Sequence, residues 1–96
     1  FKKTYKHLMG DIYQKKGVVI EFERLGSLAD HDIVPVLNFL NSDETVNQVK
    51  EQGFVTVDTL EGIEKLWVGE VVIKGVEGEF YPVMYQNFLK VYEILK

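Results

Sequence analysis

Residues 68–82, Val68-Gly-Glu-Val-Val-Ile-Lys-Gly-Val-Glu-Gly-Glu-Phe-Tyr-Pro82, decide the fold. A strand over 70–74 runs into Gly75-Val76-Glu77-Gly78, and a second strand follows over 79–81. The two glycines bracketing the corner are expected to supply the positive φ that a tight hairpin requires. Pro82 then pre-sets the first turn of a short helix over about 83–90, with Phe88 as its inward anchor.

Upstream, Phe54-Val-Thr-Val-Asp-Thr-Leu60 alternates as a strand. Glu61-Gly62 turns, and residues 63–68 return as a short strand containing Trp67. Further back, Val18, Ile20 and Phe22 alternate with Val19, Glu21 and Glu23, giving a half-buried strand over 17–24. Two helices lie between. Proline is tolerated in the first helical turn, so Pro35 makes Asp32 the expected N-cap, with Ile33, Val36, Leu37 and Leu40 inward to about Asn41. Ser42 or Asp43 caps the second, which turns Val46 and Val49 inward and ends at Gly53. Phe22, Phe39, Phe54 and Phe88 fit core positions. At the ends, Phe1, Tyr5, Leu8 and Ile12 share one helical face, so residues 1–12 read as a helix or as an arm that orders on docking. The tail 91–95 has period two and reads as a last strand, with a continuous helix as the alternative.

The pattern predicts an α+β fold: a small curled antiparallel sheet or partly open barrel of four or five strands. One or two helices follow the first strand and a short helix follows Pro82. Residues 1–12 are an N-terminal extension and 13–96 a single domain. With 46% apolar and 27% charged residues the composition is that of a globular chain. No apolar run approaches the ~20 residues of a membrane span, and no signal-type apolar run follows the basic start. The absence of cysteine removes disulfides, thiolate metal sites and a cysteine nucleophile, and fits a cytoplasmic protein.

The net charge of −4 is unevenly spread. Residues 1–16 hold Lys2, Lys3, Lys6, Lys15 and Lys16 against Asp11, whereas residues 17–96 hold six basic side chains against fourteen acids. The acidic body repels phosphate, so a nucleic-acid contact would rest on the lysine arm alone, and a solvated arm is the preferred reading.

The inventory for catalysis is thin. Ser27 and Ser42 are the only serines and flank turns or caps. A Ser27–His31–Asp32 site would need side chains this close in sequence to converge. Asp30-His31-Asp32 lacks the spacing that sets metal ligands on one helical face, and no metal or cofactor is expected. Gly75-x-x-Gly78 lacks the lysine and following helix of a phosphate loop. Glu61, Glu64, Glu70, Glu77 and Glu79 form an acidic rim on the hairpins, which protects sheet edges or meets a basic partner. Period two sets Trp67 on the face of Lys65, as an interface anchor or as a lid on an open core end.

Two segments carry a family resemblance: Tyr13-Gln-Lys-Lys-Gly-Val-Val-Ile-Glu21-Phe22, and Thr59-Leu-Glu-Gly62 followed by Val68-Gly-Glu70, Val71 to Pro82 and Phe88-x-x-x-Tyr92-Glu93. The chain resembles a group of small phage and prophage proteins of Gram-positive bacteria that open with Tyr-Arg-Lys-Lys-Pro-Val-Val-Ile-Glu-Ala and close with Gly-Val-x-Gly-Glu-Phe-Tyr-Pro. Gly17 and Val68 stand where that group has prolines, and Val83-Met84-Tyr85 replaces a Cys-Lys-Pro-like segment. The resemblance implies context and fold, with no agreed activity.

These readings lead to a non-catalytic phage accessory protein that binds a host protein, as an inhibitor of a defence or replication factor. Its interaction surface is expected at Trp67, Glu79, Tyr81, Glu77 and Arg24. The alternative is a small-ligand binder, a sponge for a nucleotide signal held by amides at the Pro82 helix start with Arg24 or Lys74 nearby. A virion component and an enzyme rank lower, and oligomerisation is left open.

Overall fold

The computed structural model describes the backbone of residues 5–7 and 20–94 and the side chains of residues 20–90. Its elements run β1 (Tyr5–His7), β2 (Glu21–Arg24), α1 (Asp30–Leu40), α2 (Val46–Gln52), β3 (Phe54–Thr59), β4 (Gly62–Trp67), β5 (Val71–Lys74), β6 (Phe80–Val83), α3 (Tyr85–Val91) and β7 (Tyr92–Ile94). The fold is α+β. Its centre is an antiparallel sheet in the order β2-β5-β6, flanked by a β3–β4 hairpin and a β1–β7 pair. No barrel closes among the described residues.

The central strand explains the layering. Val71, Val72 and Ile73 are all fully buried, although successive strand side chains point to opposite faces. Both faces of β5 must therefore be covered. Val72 packs into the larger core with Leu25, Ile33, Val36, Val55 and Leu66. Val71 and Ile73 pack on the other face against Ile20 and Phe88. Phe88 has no exposure, and its ring centroid lies 4.7 Å from that of Phe22. Thus α1, α2 and the β3–β4 hairpin cover one face of the sheet, while α3 covers the other.

The β5–β6 connection forms as expected, but its glycines act differently. Gly75 N–H donates to the Glu79 carbonyl at 2.7 Å, and Gly78 N–H donates to the Gly75 carbonyl at 3.0 Å. Gly78 has φ +86°; Gly75 has no positive φ. This is a three-residue loop with the left-handed residue last. Gly75 instead leaves room for the flexible end of Glu79, whose carboxylate lies where a Cβ would stand and would have to shift for one.

Pro82 starts no helix. It lies in β6 opposite Val72, and the helix begins at Tyr85. The loop fixes the alternation: Gly75 bonds Glu79, so Ile73 opposite Tyr81 is the next hydrogen-bonded pair and Val72 opposite Pro82 is not. The missing N–H of Pro82 therefore faces the outer edge of β6, where no ladder bond is lost.

Helix starts also differ from expectation. α1 begins at Asp30 after Ala29, and Pro35 sits inside it rather than in its first turn. Asp32 is not the N-cap; its carboxylate accepts a 2.6 Å bond from the Ser27 hydroxyl, and that hydroxyl accepts the Ala29 N–H. α2 is capped by Thr45, not by Ser42 or Asp43, in a reciprocal box with Gln48. Gly53 ends it with φ +88°, as read. Ile33, Val36, Leu37 and Val49 are buried as the periodicity required, and Leu40 and Val46 are half-buried. Phe54 is half-buried beside Trp67 rather than in the core.

The last strand forms as β7, and its partner corrects the reading of the N-terminus. Tyr5, Lys6 and His7 pair with Ile94, Glu93 and Tyr92 as strand β1, so the helix read over 1–12 is overturned at these positions. Pairing with a segment far along the chain outweighs a helical period already weakened by Gly10. The rest of that stretch, and residues 17–19 of the first strand, lie outside the described residues.

Chemical denaturation separates the two glycine roles. Gly78→Ala is expected to cost about 1–2 kcal/mol for its left-handed backbone. Gly75→Ala is expected to cost less, and its cost should vanish in a Glu79→Ala background. Equal costs at both positions, unaltered by Glu79→Ala, would contradict the assignment.

Candidate functional site

The two hairpins meet across a cleft of about 320 Å³. Leu60, Glu61 and Glu64 come from β3–β4, and Glu79, Phe80 and Tyr81 come from β5–β6. Leu60 is 82% exposed at the β3–β4 tip. That tip closes locally: the Thr59 hydroxyl donates to the Gly62 carbonyl at 2.6 Å and accepts the Glu61 N–H at 3.1 Å. Phe80 reaches back into the larger core and meets Phe39 edge-on at 5.5 Å. Glu61, Glu64 and Glu79 thus line a cleft in which Phe80 is anchored in the larger core, whereas Tyr81, the next residue of β6, packs on the opposite face of the sheet.

Of the five predicted surface residues, the cleft brings together Glu79 and Tyr81. Glu79 also works within its own turn, where its carboxylate accepts the Glu77 N–H at 3.0 Å. Glu77 sits at the exposed tip. Trp67 and Arg24 lie at the other end of β4, on either side of the turn into β5. Trp67 is 46% exposed; its ring lies 5.1 Å from Phe54, with the Lys65 ammonium over both. Leu66, the neighbour on the opposite face, is fully buried. Trp67 therefore stands on the polar face of the hairpin. Arg24 stacks its guanidinium 3.8 Å above the Tyr85 ring and donates from Nε to the Gly69 carbonyl at 3.1 Å.

The phosphate cradle expected at Pro82 is not assembled. A strand replaces the helix start there, Arg24 is held by Tyr85 and Gly69, and Lys74 lies 4.0 Å from Glu21. Ser27, His31 and Asp32 do converge, but in the wrong order for nucleophilic catalysis. The Ser27 hydroxyl bonds Asp32 directly, and the exposed imidazole of His31 stands 3.7 Å from the same carboxylate. Among the described residues, no three His, Cys, Asp or Glu side chains gather to hold a metal ion, and no helix is long and apolar enough to cross a membrane.

A carboxylate that sequence reasoning missed organises the flank. Glu44 accepts the Thr56 N–H and hydroxyl, each at 2.8 Å, and the Gln52 amide at 2.7 Å. Gln52 also donates to the Phe54 carbonyl at 2.8 Å. Together they occupy two outward backbone groups of β3, the Thr56 N–H and the Phe54 carbonyl. The Thr45-x-x-Gln48 capping signature was legible and marks this loop; the contact from Glu44 to Thr56, twelve residues on, was not. Burial raises the Glu44 carboxyl's affinity for its proton, but the Gln52 and Thr56 donors outweigh it and hold its pKa below the ordinary value. The Lys50 ammonium does the same for Asp30, tying the start of α1 to the end of α2.

In comparisons with known proteins, no family model matches the chain, and no curated protein or solved structure matches it either.

Because the native pKa of Glu44 is depressed, its stabilisation is present above the ordinary glutamate range and is lost as pH falls through the native value. Glu44→Gln is expected to lose about 1 kcal/mol near neutral pH, below the usual range for hydrogen bonds to charged groups because the site is partly solvated. Urea titrations at neutral pH and near pH 3 check this: the difference from the parent chain should shrink at the acidic end.

Proposed function

We propose that the chain is a non-catalytic binding module that meets a basic surface of another protein through the cleft between its hairpins. The observation that carries this reading is that Glu61, Glu64 and Glu79 line one cleft with Phe80 and Tyr81, with Leu60 exposed beside them. Carboxylates at the rim steer a basic partner and set its orientation. Phe80 and the exposed Leu60 provide apolar area to be covered. The bonding of Ser27 to Asp32 supports binding rather than acyl-transfer chemistry. The resemblance carried by residues 59–93 adds the context: an accessory protein of a phage or prophage, working in the host cytoplasm on a host protein.

Tagged full-length chain should recover a specific protein from a Gram-positive bacterial lysate, and binding should then be measured with that protein purified. The Glu61→Lys, Glu64→Lys double variant is expected to weaken binding about tenfold or more, equivalent to at least ~1.4 kcal/mol. Added salt should slow association of the parent chain. A partner that binds the double variant as well as the parent would contradict the cleft as its seat.

A further inference from the structure

The sheet edges of this fold are treated unequally. On β3 the outward N–H of Thr56 is taken by Glu44 and the outward carbonyl of Phe54 by Gln52. On β6 the outward positions are Phe80 and Pro82, and Pro82 has no N–H to offer. The same alternation fixes β4. Since Thr56 faces outward, Val55, Val57 and Thr59 face the ladder, and so do their register partners Leu66, Glu64 and Gly62. Ile63, Lys65 and Trp67 therefore direct their backbone groups away from β3. The Trp67 N–H is taken by the Glu70 carboxylate at 2.8 Å. Those of Ile63 and Lys65 have no partner among the described residues. Ile63 is 74% exposed.

We infer that the outer edge of β4 takes an extended, lysine- or arginine-bearing segment of a partner protein as an added strand, with a basic side chain beside Glu64. This rests on the reading of the chain as a binding module and specifies how the partner engages. The edge supplies the main-chain donors and acceptors of strand addition. The capped Trp67 limits the added strand to the stretch around Ile63 and Lys65. Charge selects the occupant: a residue opposite Glu64 emerges on the cleft face, where Glu61 and Glu79 add to the same field. Its neighbours emerge on the other face beside Ile63 and Lys65, where an apolar side chain covers Ile63. A second copy of this chain fits less well. Two-fold antiparallel registers centred on Glu64 or Lys65 set like charges directly opposite, which is unfavourable, and the register centred on Ile63 carries the pairing past Gly62 into the turn at 60–61.

The test is an NMR titration of the ¹⁵N-labelled full chain with an eight-residue peptide of alternating valine and lysine, beside its valine–glutamate counterpart. The lysine peptide should shift the Ile63 and Lys65 amides saturably, and the glutamate peptide should bind at least about tenfold more weakly. Glu64→Lys should reverse that preference. Ile63→Pro, which removes an outward N–H and no β3–β4 bond, should abolish the shift at Lys65 while the core resonances persist. Equal binding of both peptides would overturn the charge selection. Shifts confined to Glu79 and Tyr81 would overturn strand addition while leaving the cleft as a binding surface, whereas no shift at either place would count against both. A concentration-dependent dimer of the free chain with Ile63 and Lys65 at its contact would replace the partner segment with a second copy.

Discussion

The turn from β4 into β5 holds the architecture together. Gly69, at φ +94°, lets the chain leave one sheet and enter the next within four residues, Trp67 to Glu70. Its N–H donates to the Leu25 carbonyl at 2.6 Å, and the Leu25 N–H donates to the Glu70 carbonyl at 3.0 Å. The end of β2 is thereby stitched to the corner, and the side chain of Leu25 is fully buried in the larger core. Glu70 closes the turn from within by bonding the Trp67 N–H, and Arg24 braces it from outside through the Gly69 carbonyl. With the corner fixed, both hairpins extend from it and their far ends converge on the cleft. Loosening it would disturb the central sheet and the cleft together.

Small sheets have edges to manage. Here Glu44 and Gln52 cap the Thr56 N–H and the Phe54 carbonyl of β3, and Pro82 removes one outward N–H from β6. Side-chain capping of this kind discourages unwanted pairing without adding another element. β4 carries charge, with Glu64 and Lys65 on opposite faces, but its outward amides at Ile63 and Lys65 have no partner among the described residues. Mixed charge is a weaker barrier than a capped backbone, and it permits a partner of matching charge.

Much of the framework was legible because it depends on local patterns. Gly53, the stripe Ile33–Val36–Leu37 and both hairpins follow from periodicity and turn chemistry. The errors share a cause: each turned on a contact between positions that local rules treat separately. Gly75 and Gly78 look alike in sequence, yet one answers to its own backbone and the other to the Glu79 carboxylate. Pro82 looked like a helix start because its place in the β5–β6 alternation depends on loop length. Asp32 looked like a cap, but Ser27 engages its carboxylate. Of the expected surface, Glu79 and Tyr81 met in one cleft because they share a strand approach, whereas Trp67 and Arg24 belong to the corner. Glu61 and Glu64 join the cleft through the angle between the hairpins, which no local spacing encodes.

Within one hairpin, the outward Thr56 N–H of β3 is capped by Glu44, whereas the outward N–H groups of Ile63 and Lys65 on β4 have no partner among the described residues. Amide hydrogen exchange on the free full-length chain, read residue by residue by NMR, measures this contrast most directly. Thr56 should exchange slowly although no described strand pairs with its outer edge, while Ile63 and Lys65, one strand away in the same hairpin, should exchange close to the rate of an unprotected amide. Protection of Ile63 and Lys65 matching that of Thr56 would mean that β4 is covered and would contradict the account.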